Sequence, residues 1–201
     1  MSELILASNN KKKMEELRAI LADTGAKIIS QSEAGCDFEV EETGETFEQN
    51  AFLKAQAVVK ATGKAAVADD SGLMVEALGG EPGVYSARYT GSHDATDKER
   101  YTFLLKKLGE NQNRRAKFVS CVCCIFPNGH IIEVRGECPG YILTEPRGEG
   151  GFGYDPVFMP QGYESSMAEL GVGVKNKISH RARALEKFKK EYKEYLNGID
   201  K

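Results

Sequence analysis

The sequence predicts an α/β fold, a mixed twisted sheet with flanking helices, as a single domain over residues 1–201. Three observations carry that prediction. Short continuous apolar runs alternate with stretches of helical period, the pattern of strands interleaved with helices. Two capping boxes, Thr46 with Gln49 and Thr96 with Glu99, mark helix starts. Pro127-Asn128-Gly129 punctuates two apolar runs and calls for an antiparallel hairpin in the same sheet.

In chain order, residues 4–7 read as a first buried strand, and Ser8-Asn9-Asn10 as the turn or N-cap cluster after it. Met14, Leu17, Ile20 and Leu21 then keep a helical stripe. Thr46 opens a second helix whose apolar face is Phe47, Ala51, Ala55 and Val58. Residues 65–68 form another buried strand running into Asp69-Asp70-Ser71-Gly72, which places both aspartates at its C-terminal end. Thr96 opens a helix through Tyr101, Leu104, Leu105 and Leu108, closed by Gly109. Residues 116–126 and 130–136 are the hairpin strands. Ser179 caps a long C-terminal helix with the stripe Leu185, Phe188, Tyr192 and Tyr195.

Composition narrows the function. A net charge of -3 gives no broad field for nucleic acid or an anionic membrane, so phosphate recognition has to rest on local basic clusters. No apolar run reaches the length of a membrane span, and the first residues show no basic stretch before a long apolar run. A cytoplasmic protein without nucleic-acid or membrane partners is therefore expected. Cys36, Cys121, Cys123, Cys124 and Cys138 are an odd count. Cys121 and Cys124 have Cys-x-x-Cys spacing, but in a strand they point to opposite faces, so these thiols read as small apolar residues of a buried strand in a reducing compartment.

Several segments ask for more than local structure. Lys11-Lys12-Lys13 fill a helical first turn that favours acidic residues. They are either a solvated basic turn or, with the N–H groups and cap side chains there, an anion site. No Gly-x-x-x-x-Gly-Lys-Ser/Thr loop accompanies them. The acidic run of residues 39–45 alone is a solvated face. With Asp69-Asp70 it supplies carboxylates from two segments, enough to hold one Mg²⁺ and activate a water. Asn50 and Lys54 share one face of the second helix, either as an exposed polar face or as a phosphate contact alongside Lys13. Residues 148–153 match Gly-x-Gly-x-x-Gly, but Pro146 upstream and Asp155-Pro156 downstream deny the loop the strand and helix of a dinucleotide site. It is either a tight turn with Phe152 and Tyr154 in the core or a close backbone surface for something flat, such as a base. His180 and Arg181 begin a helix. They are either structural or, through Arg181's donor fork, a contact for a carbonyl or phosphate.

Together these segments resemble the non-canonical purine nucleoside triphosphate pyrophosphatase family, the inosine triphosphatase-like or Ham1-like proteins. The resemblance is carried by residues 6–13, 41–44 (Glu-Glu-Thr-Gly), 50–55, 68–73 (Ala-Asp-Asp-Ser-Gly-Leu), 79–89, 151–156 and 178–181, in family order over nearly the whole chain. It implies two lobes around a deep nucleotide-binding cleft and a homodimer. It also implies Mg²⁺-dependent hydrolysis of a small-molecule nucleoside triphosphate (inosine, deoxyinosine or xanthosine) to the monophosphate and pyrophosphate. By resemblance, Ser8, Asn10 and Lys13 grip the triphosphate, with Lys54 and Lys175 adding positive charge. Glu41 and Asp70 correspond to the magnesium-linked carboxylates, Asp70 also to the proton acceptor. Ser71 lies beside the substrate. Phe152 corresponds to the aromatic that stacks on the base, with Gly153, Tyr154 and Asp155 completing that wall, and His180 and Arg181 to the residues that read the 6-oxo edge. Asn9 departs from a glycine common at its turn, and residues 170–174 are less acidic than in many members. Two alternatives stand beside this reading: a Maf-like pyrophosphatase of other specificity, against which residues 179–181 argue, and a catalytically silent nucleotide-binding module.

Overall fold

The computed structural model describes residues 3–92 and 94–199, so Met1 and Ser2 of the opening segment read above lie outside it. The strands are β1 (Glu3–Leu6), β2 (Lys27–Ser30), β3 (Ala66–Val75), β4 (Arg115–Ile125), β5 (Ile131–Ile142) and β6 (Phe158–Pro160). They form one sheet in the order β2-β1-β3-β4-β5-β6. β1 runs parallel to β2 and β3, while β5 and β6 are antiparallel, so the sheet is mixed as expected. The helices are α1 (Lys11–Ile20), α2 (Phe47–Thr62), α3 (Asp97–Leu108), α4 (Val172–Ile178) and α5 (His180–Ile199). Among the described residues no helix is long and apolar enough to cross a membrane.

The chain divides into two compact units, one of residues up to 70, 121–136 and 184 onward, the other of residues 71–120 and 137–183. In the first, strand alternation sends Leu4 and Leu6 into one cluster and Ile5 and Ala7 into another. The first cluster joins Met14 and Leu17 of α1 to Ala184, Phe188 and Tyr192 of α5. The second is closed by Ala51, Ala55 and Val58 of α2. With helices on both faces, β1 after Glu3 is a continuous apolar run, Leu4-Ile5-Leu6, rather than an alternation with polar residues. Both anticipated capping boxes are formed, at Thr46 and at Thr96. The second unit packs Leu73, Val75, Leu104, Leu108, Phe118 and Phe158 around Tyr154.

Two strands run further than the sequence suggested. β3 does not stop before the aspartates, because Leu73 and Val75 alternate inward and are fully buried. Asp69 and Asp70 are therefore mid-strand residues. β5 continues past residue 136 in strict in-out alternation, with Pro139 at an outward position that costs the core nothing. All five cysteines are buried free thiols, as expected. Cys123 and Cys124 enter opposite clusters. Cys121 donates its S–H to Glu48 at 3.0 Å, and burial, with that acid close by, pushes its thiol well above the usual range.

Phe188 joins α5 to the first cluster and is wholly buried. Phe188→Ala is expected to cost about 3–5 kcal/mol in urea unfolding. A loss below about 1 kcal/mol would mean that α5 is not part of that core.

Candidate active site

Residues singled out in the sequence gather into a polar cluster in each unit. In the first, α1 starts against a local cap: Asn10 Oδ1 accepts the Lys13 N–H at 3.1 Å, and Ser8 Oγ accepts the Asn10 N–H at 3.1 Å. The Asn10 amide hydrogens and the Ser8 hydroxyl hydrogen remain as donors. No acid occupies this first turn, so the positive helix end is not neutralised from within. The Lys13 ammonium reaches instead to Asp69, 2.7 Å away.

The capping box of α2 fixes the start of the helix, which sets Asn50 and Lys54 one turn apart facing β3. Asn50 is fully buried, not part of an exposed polar face. Its Nδ2 donates to Asp70 Oδ2 at 3.2 Å, and its Oδ1 accepts the Gly44 N–H at 2.8 Å. That latch needs glycine, since a Cβ at residue 44 would lie 2.6 Å from Asn50 Oδ1. Lys54 bonds Glu42 at 2.7 Å and Asp70 at 3.5 Å. Burial alone would depress the Lys54 ammonium, but Asp70 and Glu42 outweigh it and hold its pKa above the ordinary value. Asp70 is moved up as well: burial dominates, and the like charge of Glu42 adds to it against the attraction of Lys54. A carboxylate raised in this way, beside half-buried cations, is poised to exchange a proton.

Glu41 is exposed, and its side chain makes no hydrogen bond or ion pair among the described residues. The neighbouring Glu42 is the one drawn into the cluster. Glu42 escaped the sequence reading because nothing in two adjacent glutamates says which one meets a cation. The donors suit a hard cation. Mg²⁺ takes one or two carboxylates and completes its shell with water and phosphate oxygens, so it needs no cage of three acidic ligands. None is found among the described residues.

The second cluster lines a cavity of about 180 Å³ whose wall includes Ser71, Asp97, Phe152, Gly153, Lys175 and His180. Tyr154 is buried and donates its hydroxyl to the Ser86 carbonyl at 2.9 Å. Burial pushes that phenol well above its usual range. Phe152 by contrast is 46% exposed. Of these two aromatics, Tyr154 is therefore a core residue, while Phe152 stays partly exposed at the cavity. Asp155 is buried, accepts the Phe152 N–H at 2.9 Å and pairs closely with Lys175. Gly151 leaves room for it, since a Cβ there would stand 2.2 Å from Asp155 Oδ2. The Lys175 ammonium lies 4.5 Å from the Phe152 ring centroid. Lys175 thus belongs to the second unit's cluster, whereas Lys13 and Lys54 belong to the first. His180 stacks on Phe118 at 4.9 Å, and Arg181 follows it, half-buried and outside the cavity lining. Asp97 and Arg100 also line the cavity. The sequence hid them, since an acid after an N-cap and a base one turn later are ordinary helix residues.

Comparison with known proteins decides the family. The Ham1 family model matches residues 4–191. This chain belongs to the Ham1 family. A Ham1 relative from Bacillus licheniformis, named dITP/XTP pyrophosphatase, is 48% identical over 189 residues, covering 93% of this chain and 96% of its own. The Ham1 protein of Staphylococcus aureus superposes with a TM-score of 0.90 at 42% identity, over 98% of this chain and all of its own. A HAM1 protein from Coxiella burnetii gives 0.92 at 40% identity, over 96% of this chain and all of its own.

The raised pKa of Asp70 sets a stability prediction. A folded-state pKa above the unfolded value means the folded protein binds this proton more tightly, so ionising Asp70 costs stability as pH rises from about 4 through the folded pKa. Asp70→Asn removes that cost. Its urea midpoint is expected to exceed wild type at pH 7.5 and to converge with it as pH falls towards 4. A midpoint at or below wild type at pH 7.5 contradicts the assignment.

Proposed function

We propose that this protein hydrolyses non-standard purine nucleoside triphosphates, such as dITP, ITP and XTP, to the nucleoside monophosphate and pyrophosphate. The observation that carries the reading is the linked set of half-buried Lys54, Glu42 and Asp70 with buried Asn50, in a chain about half identical to dITP/XTP pyrophosphatases. It gives a carboxylate of raised pKa beside cations suited to phosphate oxygens.

In this reading the donors of Ser8 and Asn10 and the ammonium of Lys13 bind the triphosphate, and Lys54 stabilises charge on the departing pyrophosphate. Asp70, oriented by the Asn50 amide, takes a proton from the attacking water as it meets the α-phosphorus. Mg²⁺ held by Asp70 and a carboxylate of the Glu41-Glu42 pair would neutralise phosphate charge. Glu42 is already turned to this cluster, and Glu41 is the solvent-facing candidate beside it. The base enters the second unit's cavity, with Ser71 at its rim and Phe152 as the stacking face, backed by Gly153, Tyr154 and Asp155. Lys175 and His180 supply donors for the carbonyl edge from the cavity wall, and Arg181 joins them by family resemblance alone, which fits hypoxanthine and xanthine better than adenine. By family resemblance, the working form is a cytoplasmic homodimer.

Purified protein with Mg²⁺ is expected to convert ITP to IMP and pyrophosphate, and chelation of the metal to stop it. Asp70→Asn is expected to lose about 10²–10⁴-fold in kcat. Glu41→Gln or Glu42→Gln is expected to raise the Mg²⁺ concentration for half-maximal rate, and the larger shift identifies the ligand. Orthophosphate as first product, or equal turnover of ATP, contradicts the reading.

A further inference from the structure

Resting on the nucleotide reading of the second unit's cavity, we infer that Asp97 and Arg100 are its specificity element, with Arg100 occupying the Asp97 carboxylate and so withholding it from purines that carry an amino group. The two residues lie three apart in the first turn of α3 and face the same cavity. Arg100 Nη1 donates to Asp97 Oδ1 at 2.9 Å. Asp97 Oδ2 accepts the Gly153 N–H at 2.7 Å, across 56 residues of chain, and so pins the backbone beside Phe152.

The other carboxylate on this wall also meets a backbone N–H and a cation, both at Oδ2. Asp155 accepts the Phe152 N–H and pairs with Lys175. Asp97 thus meets a protein donor at each oxygen, and Asp155 meets two at Oδ2. Arg100 and Lys175 carry only donors. Such a wall matches the carbonyl oxygens of hypoxanthine and xanthine. It leaves an exocyclic amine facing cations. The contrast is sharpest between xanthine and guanine, which place an oxygen and an amino group of similar size at the same ring carbon. Shape cannot separate them, but polarity can, because a buried donor without an acceptor is strongly disfavoured.

The test releases Asp97. Arg100→Met keeps an apolar stem and removes the guanidinium, and Arg100→Gln keeps a weaker, neutral donor. Specificity constants for ITP, XTP and GTP are compared with wild type, on protein whose fold is checked by circular dichroism and thermal midpoint. Arg100→Met is expected to raise the GTP-to-XTP ratio at least about tenfold, and Arg100→Gln to raise it less. Adding Asp97→Asn to Arg100→Met retains an acceptor for the Gly153 N–H but removes the anion, so the gain is expected to disappear. If wild type hydrolyses ITP and neither Arg100 variant changes the GTP-to-XTP ratio, the inference is overturned and the pyrophosphatase reading stands. If the double variant keeps the full gain, Asp97 is not the released acceptor and the inference is overturned too. If wild type does not hydrolyse ITP, the pyrophosphatase reading fails and the inference falls with it.

Discussion

Acidic groups set into a buried strand have to be neutralised, and the first unit is arranged around that requirement. Asp69 and Asp70 lie midway along β3, where the preceding residues are wholly buried. Carboxylates there are too costly to leave without cations. Lys13 from the first turn of α1 answers Asp69, and Lys54 from α2 answers Asp70 and Glu42 together. The cap at Asn10 and the capping box at Thr46 gain their significance from this, because each fixes the start of a helix and therefore the reach of a lysine. Asn50 adds the neutral part of the same arrangement by tying the acidic loop at Gly44 to the Asp70 carboxylate.

The electrostatics of that cluster are unequal. Burial raises the pKa of Asp70 by more than the Lys54 ammonium it shares with Glu42 lowers it, while the two carboxylates together hold Lys54 charged. Functional sites commonly hold an acid in this condition. The second unit uses the opposite strategy. Its two cavity carboxylates are each matched by a backbone N–H and a cation, so they shape the Phe152 loop and the polarity of the wall. The peptide bond from Asp70 to Ser71 carries β3 from the first unit into the second, so the proposed base and a residue of the cavity wall are neighbours in the chain.

Much of this was legible in the residues themselves. The capping boxes at Thr46 and Thr96, the hairpin at Pro127-Asn128-Gly129 and the apolar stripes of α2 and α5 are local signals, and local chemistry decided them. The elements that escaped notice, β2, β6 and α4, are short, and long-range pairing or packing defines them more than propensity does. The extent of β3 was missed because Asp69-Asp70-Ser71-Gly72 looks like a turn until Leu73 and Val75 find a core. Within the candidate site, charge runs pointed to Lys13, Lys54 and the acidic segment. They could not choose Glu42 over Glu41, bury Asn50 or assign Lys175 to the Phe152 cluster. Each of those outcomes depends on which side chains the fold brings face to face.

The central claim is that water attacks the α-phosphorus. Hydrolysis of ITP in ¹⁸O-labelled water, with both products weighed by mass spectrometry, tests it most directly. The account predicts one labelled oxygen in IMP and unlabelled pyrophosphate. Label in pyrophosphate, with unlabelled IMP, would place the attack at the β-phosphorus and contradict it.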